Sequence, residues 1–122
     1  MSLEDFVRKA WREHREVTLL LADRLVAHAA TLNAAVPPTP QEVRIAREAA
    51  HRLAGSLGMY GLSEGSDEAS NLEIHLAAPG RHPLSNEEFR AIAIRLRWLI
   101  EVGPPDADPS GGDDSDNTRA KS

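Results

Sequence analysis

The sequence contains no cysteine, which excludes disulfides, thiol catalysis and zinc–thiolate sites. Aromatic residues make up only 4% of the 122 residues. β-branched residues are scarce beside alanine, leucine, arginine and glutamate, a composition that favours helix over sheet. No apolar run approaches the roughly 18 residues that span a membrane. The N-terminus also lacks the basic start and apolar stretch of a signal peptide. We therefore expect a single helical domain in the cytoplasm.

Basic residues are not in excess either, and the net charge of -5 argues against nucleic acid as a partner. The acidic charge is concentrated at the C-terminus, where five aspartates against one arginine and one lysine give residues 103–122 a net charge of -3. Residues 104–122 are rich in Gly, Ser, Asp and Pro and have no apolar periodicity. They are predicted to form a disordered acidic tail.

Apolar residues recur at helical spacing in four segments. The first predicted helix runs from about Leu3 to Asn33, and a break near residues 13–16 is left open. Its apolar positions, mostly at three- and four-residue intervals, include Phe6, Val7, Ala10, Trp11, Val17, Leu20, Leu21, Leu25 and Ala29. The second helix begins after Thr39, an N-cap followed by Pro40 at the first helical position, and ends near Met59. Its predicted core residues are Val43, Ala46, Ala50, Leu53 and Leu57.

The third predicted helix runs from about Ser66 to Ala77, with Ser63 and Ser66 both credible N-caps. Its inward positions are Ala69, Leu72, Leu76 and Ile74. The fourth helix begins with a capping box of Ser85 and Glu88 and runs to about Val102. Its core candidates are Phe89, Ile92, Leu96, Leu99 and Ile100. One long helix, three shorter helices and short connections predict an all-α, antiparallel four-helix bundle over residues 1–103.

His51 stands out because small residues follow it on its own helical face. Gly55 and Gly58 lie about one and two turns beyond it, although glycine costs a helix about 1 kcal/mol relative to alanine. Arg47 and Arg44 lie about one and two turns before it. An accessible imidazole, a flat surface and nearby positive charge suit phosphoryl chemistry. The alternative is a surface histidine whose glycines only admit a neighbouring helix.

The other histidines show no spacing that is typical of a metal site in a helical bundle. Glu73 and His75 are two residues apart and point to different helical faces, so we expect no metal site. His14 and His28 are interpreted as solvated or half-buried side chains, His75 as exposed or as a helix cap, and His82 as a loop residue.

The segment His51-Arg52-Leu53-Ala54-Gly55-Ser56 resembles the histidine-containing phosphotransfer domain family. The family pattern is His-x-Leu-(Lys)-Gly-(Ser/Ala), then further small residues, and often Leu-Glu in the next helix. Gly58 and Gly61 supply the later small positions, and Leu72-Glu73 stands where the downstream pair is expected. The resemblance covers about residues 3–102, and its specific residues lie within about 47–73.

This resemblance implies a phosphorelay carrier, not an enzyme, whose His51 accepts a phosphoryl group from a receiver-domain aspartate and relays it to another receiver. It implies that Gly55 must stay small for docking. The chain departs from the pattern at Ala54, where many members have a lysine that helps to hold the phosphoryl group. Either Arg52, Arg47 or Ser56 would compensate, or the receiver would do all of this work. No cofactor of its own is implied, since Mg²⁺ would come with the receiver.

A second hypothesis is a helical adaptor that binds a kinase or receiver without phosphotransfer. A membrane-binding module is a weaker alternative, because the first helix intermingles acidic and basic residues. The expected partners are a receiver domain, a hybrid histidine kinase or both, and we expect a monomer.

Overall fold

The computed structural model describes residues 2–104, which form four helices and no strand. They are α1 (Leu3–Thr31), α2 (Pro40–Met59), α3 (Ser63–Ala77) and α4 (Asn86–Val102). α1 packs against α2 and α4, and α3 packs against the same two helices, so α2 and α4 occupy opposite corners. The start of α1 lies beside the ends of α2 and α4. The predicted antiparallel four-helix bundle is confirmed; the predicted disordered tail lies outside the described residues, apart from Pro104.

Two predicted helix starts are confirmed in detail. The hydroxyl of Thr39 accepts a hydrogen bond from the backbone N–H of Glu42, whose carboxylate accepts one from the N–H of Thr39. Ser85 and Glu88 form the same reciprocal pair at the start of α4. Each capping box satisfies backbone donors that would otherwise lack partners. α1 is continuous from Leu3 to Thr31, without a break at residues 13–16.

The predicted start of α3 is wrong by three residues, and neither serine caps it. The N-cap is Leu62, which makes no side-chain capping bond, and the helix begins at Ser63. Gly61, with φ of 81°, shapes the turn that precedes it. Ser66 lies inside the helix, and its hydroxyl donates to the carbonyl of Ala54 at 2.7 Å. The serine that resembled a cap therefore joins α3 to α2.

The core contains residues from all four helices, and the seam of α2 is buried as predicted apart from Val43, which is partly exposed. Three of the apolar residues that recur along α1 are exposed, namely Phe6 at 60%, Val17 at 52% and Leu20 at 60%. Phe6 lies more than one helical turn before Trp11, the first buried residue of α1, which packs on Gly103 at the end of α4. Val17 and Leu20 immediately precede the buried residues Thr18 and Leu21, so they lie beside the buried face of α1 and not on it.

Ile74 of α3 is also exposed, at 39%, where the sequence predicted an inward side chain. It lies two positions from the buried Leu72, and residues two apart do not share a helical face. No helix among residues 2–104 is long and apolar enough to cross a membrane.

Candidate functional site

His51 lies near the middle of α2, beside the core and open to solvent. Its neighbour Ala50 is fully buried, and Leu53 and Leu57 anchor the same helix. The His51 side chain is 71% exposed. The helix backbone at this position is therefore held by packing while the imidazole remains accessible.

Glu73 of α3 is the direct partner of His51, with its Oε2 3.0 Å from Nδ1 of the imidazole. An ionised carboxylate can only accept a hydrogen bond, so Nδ1 carries the proton and donates it. In the neutral ring the lone pair then lies on Nε2. Glu73 thus selects the tautomer in which Nε2 is the nucleophilic atom.

The sequence links Glu73 to the site as half of the Leu-Glu pair in the next helix, and the predicted site residues do not include it. The missing information is the register between α2 and α3, which brings together two residues 22 positions apart. Leu72, the other half of the pair, is fully buried. Its burial turns the adjacent Glu73 toward the edge of the α2–α3 interface.

Gly55 and Gly58 have different surroundings. Among residues 2–104, a Cβ built on Gly55 would meet no atom within 4 Å apart from its chain neighbours and the nearby backbone of α2, so packing in this part of the chain does not require glycine there. A Cβ on Gly58 would lie 3.3 Å from Oγ of Ser66, which is already held by the Ala54 carbonyl. Close helix packing therefore explains Gly58, whereas Gly55 leaves an open, flat surface about one turn beyond His51.

The basic residues predicted at the site are exposed on α2 and make no ion pairs within residues 2–104. By helical geometry, Arg47 and Arg44 lie nearly in line with His51, at about 6 and 10 Å along the axis. Arg52 lies about 100° around the helix. Glu48 is the acidic residue among them and is also exposed. The two aligned arginines are thus available to an anionic partner.

Ala54 and Ser56 do not contribute charge or a hydroxyl to His51. The carbonyl of Ala54 accepts the Ser66 hydroxyl, and its half-buried side chain packs against the core. Ser56 lines a groove of about 130 Å³ between α1 and α2. Glu73 approaches His51 from α3, so Ser56 lies on a different side of α2. Of the residues suggested to replace the missing lysine, Arg47 is therefore the best placed.

Of the other four histidines, all within the described range, His28, His75 and His82 make contacts inside the bundle or its loops. The sequence predicts a solvated or half-buried His28, but the residue is only 8% exposed, and its ring packs at a tilt of 51° against that of Phe89, with 5.7 Å between the ring centroids. Burial lowers the pKa of His28, and the nearby carboxylate of Glu42 partly offsets that effect. The ring of His75 also lies near that of Phe89, with 6.0 Å between the centroids, and its Nδ1 is 3.0 Å from the carbonyl oxygen of His82. His14 is exposed.

Among residues 2–104, no group of three or more histidine or acidic side chains could hold a metal ion. The arrangement at His51 suits nucleophilic attack by an oriented imidazole, with charge neutralisation left to a partner.

Comparison with known families gives a match to the Hpt domain over residues 16–101. Comparisons with curated proteins and with solved structures gave no significant match. Hpt domains take part in histidine phosphotransfer in phosphorelays, where they interact with receiver domains and histidine kinases. The matched range contains His51, Glu73 and most of all four helices. This chain belongs to the Hpt domain family.

Proposed function

We propose that His51 accepts a phosphoryl group from the aspartate of a receiver domain and passes it to another receiver. The observation that carries this proposal is the pairing of an exposed imidazole with Glu73 through Nδ1. Family membership supports phosphotransfer in general. The exposure of His51 and its carboxylate partner support the assignment to this residue, because within residues 2–104 none of the other four histidines has an ion-pair partner.

In the proposed step, Nε2 of His51 attacks the phosphorus of the receiver's aspartyl phosphate. The Nε2–P bond forms as the P–O bond to the aspartate breaks, and the aspartate leaves as a carboxylate. The ring then carries a positive charge with its proton retained on Nδ1, and the Glu73 carboxylate stabilises that charge. The reverse step returns the phosphoryl group to an aspartate. No proton must be removed from Nε2 in either direction.

The partner supplies the rest of the chemistry in this proposal. Mg²⁺ and a lysine of the receiver neutralise the phosphoryl oxygens, so the chain acts as a carrier and needs no cofactor of its own. Gly55 allows the receiver to approach, and Arg44 and Arg47, with Arg52 at the edge, attract its acidic site. The partner would be a free receiver or one within a hybrid kinase, in the cytoplasm, and neither nucleic acid nor a membrane takes part.

The test is phosphotransfer from radiolabelled phosphorylated receivers encoded in the same genome. Label on the wild-type chain that is stable in alkali and labile in acid identifies phosphohistidine. His51→Gln should abolish labelling and leave the circular dichroism spectrum and melting temperature unchanged. His14→Gln, which replaces another exposed histidine, is the matched control and should label normally. Receiver binding without transfer would instead establish the adaptor alternative.

A further inference from the structure

α4 carries apolar side chains on two opposite faces. Its inner face contributes Phe89, Ala93, Leu96 and Ile100 to the core. Its outer face bears three large exposed side chains, Ile94 at 47%, Trp98 at 57% and Val102 at 55%. A helix at the surface of a soluble bundle ordinarily has a polar outer face. The outer face of α4 therefore has the composition of a contact surface.

The outer residues form a continuous stripe, to which Ala91 also belongs. Ala91, Ile94 and Trp98 follow one another at three- and four-residue steps, and Val102 continues the row one turn further. Tryptophan is enriched at the centres of protein interfaces, and Trp98 occupies the middle of this row. We name Ala91, Ile94, Trp98 and Val102 the α4 stripe.

Charges beside the stripe identify the occupant. Arg90 and Glu101 lie on the same edge of α4, near opposite ends of the stripe, and both are exposed. Oε2 of Glu101 also pairs with Arg97 of its own helix at 2.8 Å, so Arg90 of a second copy would be a second partner for this carboxylate. Two copies of α4 packed antiparallel about a two-fold axis would place Arg90 of each opposite Glu101 of the other. The same register places Ile94 opposite Trp98, and the small Ala91 opposite Val102. The apolar row and this pair of charges are complementary to themselves, as a two-fold interface requires. On the other edge of α4, Arg95 is neutralised by Glu64 and Glu68 of its own chain.

We propose that the α4 stripe joins two copies of this chain in an antiparallel α4–α4 dimer. The sequence predicts a monomer, and the outer face of α4 is the reason for proposing otherwise. Arg90 makes no ion pair within residues 2–104, so it is available to the second copy. α2 lies at the corner opposite α4, so dimerisation leaves His51 accessible. The inference rests on α4 alone and is independent of phosphotransfer.

One helix face buries less than the roughly 800 Å² per partner of a standard interface, so the dimer should be weak and concentration-dependent. Sedimentation velocity on the full chain, from about 1 to 500 µM, measures this directly. We expect the weight-average mass to rise toward that of a dimer. Trp98→Ala should weaken the dimer and raise its dissociation constant at least about tenfold. Leu20→Ala, a change at a similarly exposed side chain on α1, should leave it unchanged.

A charge exchange tests the register. Arg90→Glu alone should weaken the dimer, because it places a glutamate of each copy opposite Glu101 of the other copy. Combining Arg90→Glu with Glu101→Arg should restore association. A chain that stays monomeric throughout the range, or a dimer that Trp98→Ala does not affect, would overturn the proposal. A double variant no better than Arg90→Glu would refute the antiparallel arrangement.

Discussion

Oε2 of Glu73 lies 3.0 Å from Nδ1 of His51, and this contact connects α3 to the exposed imidazole on α2. It assigns the two ring nitrogens different roles. Nδ1 donates to the carboxylate, and Nε2 is left to react. It also holds the ring in one orientation without burying it.

Two substitutions of Glu73 distinguish the effect of its charge on phosphotransfer from the effect of its hydrogen bond. Glu73→Gln retains an oxygen that accepts from Nδ1 but removes the negative charge, and we expect transfer to slow by about threefold to tenfold. Glu73→Ala removes both and should slow transfer further. Quench-flow measurement of labelling from one phosphorylated receiver gives the rates. Equal rates in the wild type and both variants would contradict the role of Glu73 as a positioning residue.

Gly55→Ala should stabilise the free domain while it impairs transfer. Alanine improves helix propensity by up to about 1 kcal/mol, and the added methyl group meets no atom within 4 Å. It would, however, stand between the receiver and His51. Urea unfolding measures the first effect and transfer kinetics the second. Gly55→Glu should block transfer with His51 intact.

Gly58→Ala is the matched control for the effect of Gly55→Ala on the stability of the domain. Its methyl group would lie 3.3 Å from a hydroxyl that is fixed by a hydrogen bond, so crowding offsets the gain in propensity. We expect Gly58→Ala to be less stable than Gly55→Ala. If Gly55→Ala left transfer at the wild-type rate, Gly55 would have no docking role.

Helix starts with side-chain caps could be predicted from sequence because the signal is local. Thr39 and Ser85 each accept a hydrogen bond from a nearby backbone N–H, and α2 and α4 each begin at the residue that follows the cap. The start of α3 could not be found in this way, since Leu62 provides no side-chain cap. The burial of His28 depends on Phe89, which comes from a different helix. Likewise, the partner of His51 depends on the register of α3.

Gly103→Ala should destabilise the bundle. Gly103 has φ of 77°, and an added Cβ would lie 2.9 Å from Nε1 of Trp11. Trp11 is buried and packs edge-on against Tyr60, so it cannot yield easily. We expect a loss of about 2–3 kcal/mol in the free energy of unfolding, measured by urea denaturation. Gly80→Ala, which meets no atom within 4 Å, should change it by less than about 0.5 kcal/mol.

His28 should make stability depend on pH. Burial lowers its pKa in the folded state below the value of 6.5 expected in the unfolded chain. The unfolded chain therefore takes up a proton first as pH falls. Stability from His28 is present above pH 6.5 and decreases as the pH falls below it. Urea unfolding at pH 7.5 and 5.5 should show a smaller pH-dependent loss for His28→Phe than for the wild type. An identical loss in both proteins would contradict this assignment.

The most direct test of the central claim is the position of the phosphoryl group on the imidazole. Long-range proton–nitrogen NMR of the phosphorylated, ¹⁵N-labelled chain distinguishes the two ring nitrogens. The account predicts phosphorylation of His51 at Nε2, with the proton retained on Nδ1. Phosphorylation at Nδ1, or on a residue other than His51, would contradict it.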